Sequence, residues 1–444
     1  MATNLTRIGV KARREPGLVF TSLYHHIYDV DNLRACYDTL DARKATGVDG
    51  VTKAEYGRNL EENLRDLSAR LRRMGYRPGP KRRSYIPKPG TAKGRPLGIS
   101  NLEDKIVEAA TKRVLEPIYE AVFEDSSYGY RPGRTQHQCL DALGRTIQQE
   151  KVSYVVEADV KSFFDEVNHE WMVKFLRHRI GDERVIRLIT RMLKSGIMED
   201  GLTRATEKGT PQGSILSPLL SNIYLHYVLY LWFSRRIRRQ CRGEAYYFRF
   251  ADDFLACFQY KGDAEHFYHQ LRVRLEKFGL KLAEEKTRCI EFGRFARRDA
   301  QKRGGKPTDF TFLGFTHYCG KTREGYFKVK RRTSRKKLGQ SLRKVTEWAI
   351  KARQGLRKGE KIRQARASVA GHLNYYAITD NAARCSYYSY RARQILLKWL
   401  NRKSQRKSYT WEQFHQALTM LDWPAVKIRK DLNPCRRSGG TLNG

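Results

Sequence analysis

Two adjacent acids, Asp252 and Asp253, sit inside "YYFRFADDFLACF", a run whose aromatic and apolar residues otherwise read as β-structure. Strands disfavour Asp, and neighbouring carboxylates repel unless a positive charge lies beside them. Two readings follow: a solvent-capped Asp-Asp turn, or a site that holds a cation. A third acid, Asp159, ends the β-branched run of "VVEADVKSFFD". If that strand neighbours the acidic hairpin, Asp159, Asp252 and Asp253 converge at one sheet edge. Three carboxylates offer the hard oxygen ligands that Mg²⁺ prefers. Two such ions about 3.5–4 Å apart would drive phosphoryl transfer.

The surrounding pattern says which elements must position these acids. The first 80 residues read as helices separated by the turn "ATGVDGVT". A basic Gly/Pro-rich loop follows, then a helix in "LEDKIVEAATKRVLE" with Ile106, Ala110 and Val114 on one face. After the strand at Asp159, "PQGSILSPLLSNIYLHYVLYLWFSRRIRR" begins with turn residues and continues as a long helix. The acidic segment reads as a hairpin, "AEHFYHQLRVRLEKFGL" as helix, and "RCIEFG", "FTFLGFTHYC" and "GYFKVKR" as short strands. The order implies an α+β fold on a largely antiparallel sheet. Beyond about Lys321 strands are expected to stop, leaving a basic helical region with 18 Lys/Arg against 3 Asp/Glu between Lys321 and Arg366.

The 444 residues carry 87 Lys+Arg against 47 Asp+Glu, a formal charge of +40. Such an excess opposes compaction by self-repulsion and fits a chain normally covered by a polyanion, nucleic acid before an anionic membrane surface. The longest apolar stretch is broken by Ser, Asn and His, so no membrane crossing is expected. The eight Cys form no CxxC pair, which argues for a reducing compartment over a structural zinc. No GxxxxGK[ST] loop supports a P-loop NTPase.

Taken in order, "YVVEADVKSFFD", "GTPQGSILSPLLSNIYL", "FRFADDFLACF", "LAEEKTRCIEFGRFA" and "FTFLGF" resemble the palm motifs of reverse transcriptases. "TGVDGVT", "YIPKPGTAKGRPLGIS" and "YGYRPGRTQHQCLDAL" resemble more specifically the enzymes encoded by group II introns, across roughly residues 20–420. The resemblance implies a right-hand polymerase with fingers and palm, followed by an all-helical thumb/maturase domain. It places an N-terminal extension and the start of the fingers in 1–80, fingers and palm in 81–320, the thumb (domain X) in 321–424 and a basic tail in 425–444. It implies an RNA-directed DNA polymerase in which Asp159, Asp252 and Asp253, with the backbone of Val160, hold two Mg²⁺, Mn²⁺ being able to substitute. Phe164 would be the steric gate against a 2′-OH, Gln212 a contact to the incoming dNTP, and Lys88 and Arg95 the triphosphate clamp. Lys286 would protonate the pyrophosphate leaving group, and Phe312, Leu313, Gly314 and Phe315 would form the primer grip.

Arg331, Arg332, Lys336, Lys337, Tyr375 and Tyr376 are the candidates for binding RNA, the tyrosines by stacking or else as core. The implied partners are template and intron RNA, a DNA or RNA primer and dNTPs, with the protein a monomer or a homodimer. The implied location is the prokaryotic cytoplasm, with ribonucleoprotein or nucleoid. No paired Cys or HNH-like His cluster follows "LDWP", so no endonuclease is expected. The sequence departs from the family pattern at Phe250, where Tyr is more frequent, and at Glu108, where Gln is common. Service in DNA repair or phage defence, or as a splicing cofactor with a vestigial polymerase, are the alternatives.

Overall fold

The computed structural model describes residues 2–87, 94–402 and 409–435. Among the described residues eleven strands form three sheets. Strands β1 (Lys81–Ile86), β2 (Arg95–Ile99), β4 (Ile197–Glu199) and β5 (Leu202–Arg204) pair in the order β2-β1-β4-β5. A second sheet has the order β6-β7-β3-β8, from β3 (Tyr154–Ala158), β6 (Ala245–Phe250), β7 (Asp253–Phe258) and β8 (Arg288–Glu291). The third contains β9 (Phe310–Phe312), β10 (Phe315–Lys321) and β11 (Phe327–Thr333) in the order β11-β10-β9, all antiparallel. In the first sheet β1 runs antiparallel to β2 and parallel to β4; helices mixed with such largely antiparallel sheets are the α+β class that the motif order implied.

The chain divides into two compact units. The first comprises Met1–Cys139, Val156–Ala256 and Gly262–Arg288, and holds all three acids of interest. Its core is organised around the helix Leu102–Glu120, whose Ile106, Ala110 and Val114 are fully buried, as their spacing predicts. Their four-residue interval stacks them on one face of the 3.6-residue turn. The helix after Leu216 runs from Ser217 to Gln240 but is not uniformly α: π turns occupy His226–Tyr230 and Phe233–Ile237. Each π turn adds a residue and shifts the angular register. That lets a segment that is apolar nearly all round bury His226, Val228, Leu229, Tyr230, Phe233 and Ile237.

The second unit comprises Leu140–Val155, Cys257–Lys261 and Cys289–Gly444. Strands do not stop at Lys321 here: β11 pairs antiparallel along β10, from Phe315 opposite Thr333 to Lys321 opposite Phe327. Val329, Arg331 and Thr333 are its inward residues. This is the strand read in "GYFKVKR"; the boundary expected at Lys321 falls instead after Thr333. The helical run therefore begins at Arg335, with helices Arg335–Gly355, Lys358–Tyr376, Ala382–Leu400 and Trp411–Met420. Ile362, Ala365, Leu396, Leu400, Phe414 and Leu418 form a core among them.

Candidate active site

The acidic turn is built by local strain that surrounding residues hold in place. Only Ala251 and Asp252 separate β6 from β7. Ala251 has φ +59°, a left-handed conformation that costs an L-residue roughly 1–2 kcal/mol. The fully buried Arg249 secures it. Its Nη1 donates to the Ala251 carbonyl at 2.9 Å and to Asn222 Oδ1 at 2.9 Å, and its Nη2 donates to Ser127 Oγ at 2.5 Å. Asn222, from the helix Ser217–Leu225, donates in turn to the Gly129 carbonyl at 2.8 Å. Ser126–Tyr128 lies along β6, with Arg249 N donating to Ser126 O and Tyr128 N to Arg249 O, each at 2.9 Å. A Cβ on Gly129 would meet Ala251 N at 2.1 Å, so only glycine permits this approach. The resemblance drew attention to "YGYRPG"; it did not show that these residues brace the acidic turn.

Asp159 follows directly on β3. Its carbonyl accepts from Ala283 N at 2.9 Å, and Lys161 N donates to Lys281 O at 2.8 Å, so Asp159–Lys161 runs beside Lys281–Ala283. Val160 is buried in that pairing, opposite Leu282. The three acids share one electrostatic neighbourhood. Burial raises the Asp252 carboxyl above its ordinary range, Asp159 adds to this, and Arg95 and Arg249 oppose it. Asp253 is pushed up to about 6, first by desolvation, then by Asp252, Asp159 and Glu157. Lys286 reaches the same place: its Nζ lies 2.6 Å from Asp159 Oδ2. Arg95 and Tyr130 belong to it too, since Asp252, Arg95 and Asp253 all bear on the Tyr130 hydroxyl, which burial raises. Tyr130 was not singled out from the sequence; its φ of +59° becomes visible only in the fold.

Lone pairs from mutually repelling, partly desolvated carboxylates are the donor set a hard divalent cation fits. Among the described residues, no three His, Cys, Asp or Glu side chains stand within joint ligating reach. The expected convergence is thus electrostatic, with the Lys286 ammonium against Asp159.

A cleft of about 800 Å³ opens in the same unit, lined by Arg83, Pro96, Phe164, Lys208 and Gln212 among others. Phe164 and Gln212 therefore meet in one cavity, while the three acids lie outside its lining. Phe164 follows the left-handed Ser162 in a short helix, Phe163–Glu166, and its carbonyl accepts from Thr210 N at 2.7 Å. Gln212 sits in a turn whose Gly213 has φ +109° and whose Gln212 carbonyl accepts from Gly98 N at 2.7 Å. Arg95 begins β2 and is exposed. Lys88 lies outside the described residues.

The remaining candidates belong to the second unit. Leu313 and Gly314 form the two-residue turn between β9 and β10, both at positive φ (+48° and +82°). The freedom of Gly314 serves an internal approach: a Cβ there would lie 2.8 Å from the Tyr376 hydroxyl. Tyr375 donates to the Leu313 carbonyl at 2.7 Å, and both tyrosines pack on Phe315 with ring centroids 5.6 and 5.1 Å away. Tyr376 is buried. These rings support the Phe312–Phe315 turn; of the two readings offered for them, stacking or core, buried Tyr376 takes the core one, and Tyr375 is half-buried. Arg331 is likewise withdrawn from any RNA-facing surface. It is fully buried, donating to the carbonyls of Leu140 (2.8 Å) and Leu432. Arg332 pairs with Asp309 at 3.0 Å, and Lys336 and Lys337 are exposed in the first helical turn after β11.

Helices mixed with short sheets, one of them carrying an acidic hairpin turn beside a strand that ends in a third acid, place the chain in the α+β class. Residues 86–317, more than half of the chain, match the family model described as reverse transcriptase (RNA-dependent DNA polymerase). The chain belongs to the reverse transcriptase family. It is similar to the group II intron-encoded protein LtrA of Lactococcus lactis subsp. cremoris, 37% identical over 222 residues, which are 50% of this chain and 37% of that protein. Protein YkfC of Escherichia coli (strain K12) is 41% identical over 183 residues, 40% of this chain and 48% of YkfC. Nuclear intron maturase 2, mitochondrial, of Arabidopsis thaliana is 32% identical over 112 residues, 24% of this chain and 15% of that protein. The matched stretches thus span less than half the length of these relatives. Among the described residues no helix is long and apolar enough to cross a membrane.

Proposed function

We propose that the chain is an RNA-directed DNA polymerase of the group II intron-encoded kind, adding dNTPs to a primer 3′-OH on an RNA template. The observation that supports this reading is the sheet order β6-β7-β3, in which the strand ending at Asp159 neighbours the hairpin that bears Asp252 and Asp253. Asp159, Asp252, Asp253 and the Val160 carbonyl would hold two Mg²⁺ (or Mn²⁺), which when bound activate the 3′-OH and neutralise charge on the transferred phosphoryl group. Phe164 presents its ring to the sugar and leaves no room for a 2′-OH. Gln212 contacts the nucleotide in the same cleft. Arg95, with Lys88, holds the triphosphate, Arg by a planar fork and Lys as a point charge. Lys286 delivers its proton to the pyrophosphate oxygen.

Residues 1–320 would form the N-terminal extension, fingers and palm, residues 321–424 a thumb that grips the template–primer duplex and intron RNA, and 425–444 a basic tail. The net charge of +40 supports that binding through counterion release. The names of LtrA and of the plant maturase support a maturase role in intron splicing and mobility. A cytoplasmic site of action suits such partners.

The purified chain with poly(rA)/oligo(dT), Mg²⁺ and dTTP is the test, with Asp252→Asn as control. Incorporation by the parent chain, abolished in Asp252→Asn with RNA affinity retained, is the expected result. Retained RNA binding without incorporation by the parent would overturn the polymerase reading in favour of a splicing cofactor.

A further inference from the structure

Glu108 anchors a buried polar cluster beside the turn that carries Gln212. It faces inward from the helix Leu102–Glu120 and is 1% exposed; Lys81, from β1, is 2% exposed. Their charged atoms are 2.5 Å apart. Lys81 Nζ also donates to Ser100 Oγ at 3.1 Å, and Ser100 Oγ donates to Glu108 Oε1 at 2.9 Å. Glu108 Oε2 remains free of this cluster and accepts from Ile215 N at 2.9 Å.

Ile215 closes the turn that contains Gln212. The same turn is fastened at Gly98, which donates to the Gln212 carbonyl, and at Gly213, where a Cβ would stand 3.0 Å from Gly98 O. A glutamine side chain has one acceptor oxygen; a carboxylate has two. Here one oxygen answers Lys81 and Ser100 while the other answers Ile215. The division of labour requires glutamate, and the buried carboxylate in turn requires the lysine.

We propose that Lys81 and Glu108 are positioning residues for the Pro211–Ile215 turn: the ion pair fixes the Glu108 carboxylate, and its second oxygen fixes the backbone that carries Gln212. The effect on nucleotide use rests on the reading of Gln212 as a nucleotide contact; the effect on the turn does not. Burial alone would raise the Glu108 carboxyl, but the Lys81 ammonium and the hydrogen bonds outweigh it and hold the group below its ordinary range. Glu108 therefore stays ionised, with both oxygens able to accept.

Single substitutions would strand a buried charge and unfold the unit, so the test compares two neutral pairs in the full chain. Lys81→Met with Glu108→Gln keeps one acceptor for Ile215; Lys81→Met with Glu108→Met removes it. Hydrogen exchange of the peptide covering 210–216 reads the turn directly. The Met/Met pair should exchange there at least tenfold faster than the Met/Gln pair, with protection elsewhere alike. Equal exchange in the two pairs would overturn the proposal. With dTTP titrated on poly(rA)/oligo(dT), the Met/Met pair should also raise the dTTP KM about tenfold over the Met/Gln pair, with kcat within threefold. Faster exchange with an unchanged KM upholds the positioning role and removes Gln212 from the nucleotide site. A parallel Gln212→Ala variant with an unchanged KM identifies that same outcome.

Discussion

Lys286 Nζ lies 2.6 Å from Asp159 Oδ2 across 127 residues of sequence. A cation from the turn before β8 thus answers the acid that ends β3. The hydrogen bond to Asp159, and the charges of Asp159, Glu285 and Asp253, raise the Lys286 ammonium pKa against a smaller opposing effect of burial. The group stays protonated throughout the neutral range and is available as a proton donor. Lys286→Ala should lower kcat for dTTP incorporation by about 10²-fold, within the usual range for a lost general acid. The dTTP KM should change little. An unchanged kcat would leave the pair a purely structural contact.

Phe164 lines the cleft that Gln212 also lines. Phe164→Ala should open space beneath the sugar and raise UTP incorporation relative to dTTP by at least about tenfold, since a steric exclusion acts through the transition state. Competition assays on one template–primer measure the ratio. Unchanged sugar discrimination would remove Phe164 from the gate.

Arg249 holds a left-handed alanine beside the catalytic candidates through three hydrogen bonds, to Ala251, Asn222 and Ser127. Misplacement of reacting groups by about 1 Å costs on the order of 10²-fold in rate. Arg249→Met should therefore cut kcat by about that factor while RNA affinity stays within twofold. Its unsatisfied acceptors should also lower stability by roughly 2–4 kcal/mol. Full activity in the folded variant would separate the Asp252–Asp253 turn from its buried brace.

His226 is buried and neutral. Desolvation, with Arg249, Arg235 and Arg131 adding, lowers its pKa from 6.5 to about 3. The unfolded chain therefore takes up its proton first as pH falls below about 6.5. The His226 contribution is intact above that pH and is lost progressively down to about pH 3, on the order of 3–5 kcal/mol in total. Denaturant unfolding followed from pH 7.5 to 5 should show a smaller acid loss in His226→Phe than in the parent. Identical slopes would place the proton uptake elsewhere.

The sequence by itself determined the order of elements and the acid trio, because periodicity and residue type are local. Ile106, Ala110 and Val114 mark a buried helix face, and Asp252–Asp253 interrupts an aromatic strand pair, where Asp is disfavoured. Charge type also pointed to nucleic acid without any contact being known. Only tertiary structure decided which basic and aromatic residues reach solvent. Arg331 looks like its exposed neighbours in the chain, yet it points inward from β11 to meet the Leu140 and Leu432 carbonyls. Tyr375 and Tyr376 look like base-stacking rings, yet they pack on Phe315. Arg249 and the Lys81–Glu108 pair are likewise silent in one dimension. The physical reason is the same in each case: a buried polar group is defined by the partner that satisfies it, and that partner lies dozens to hundreds of residues away.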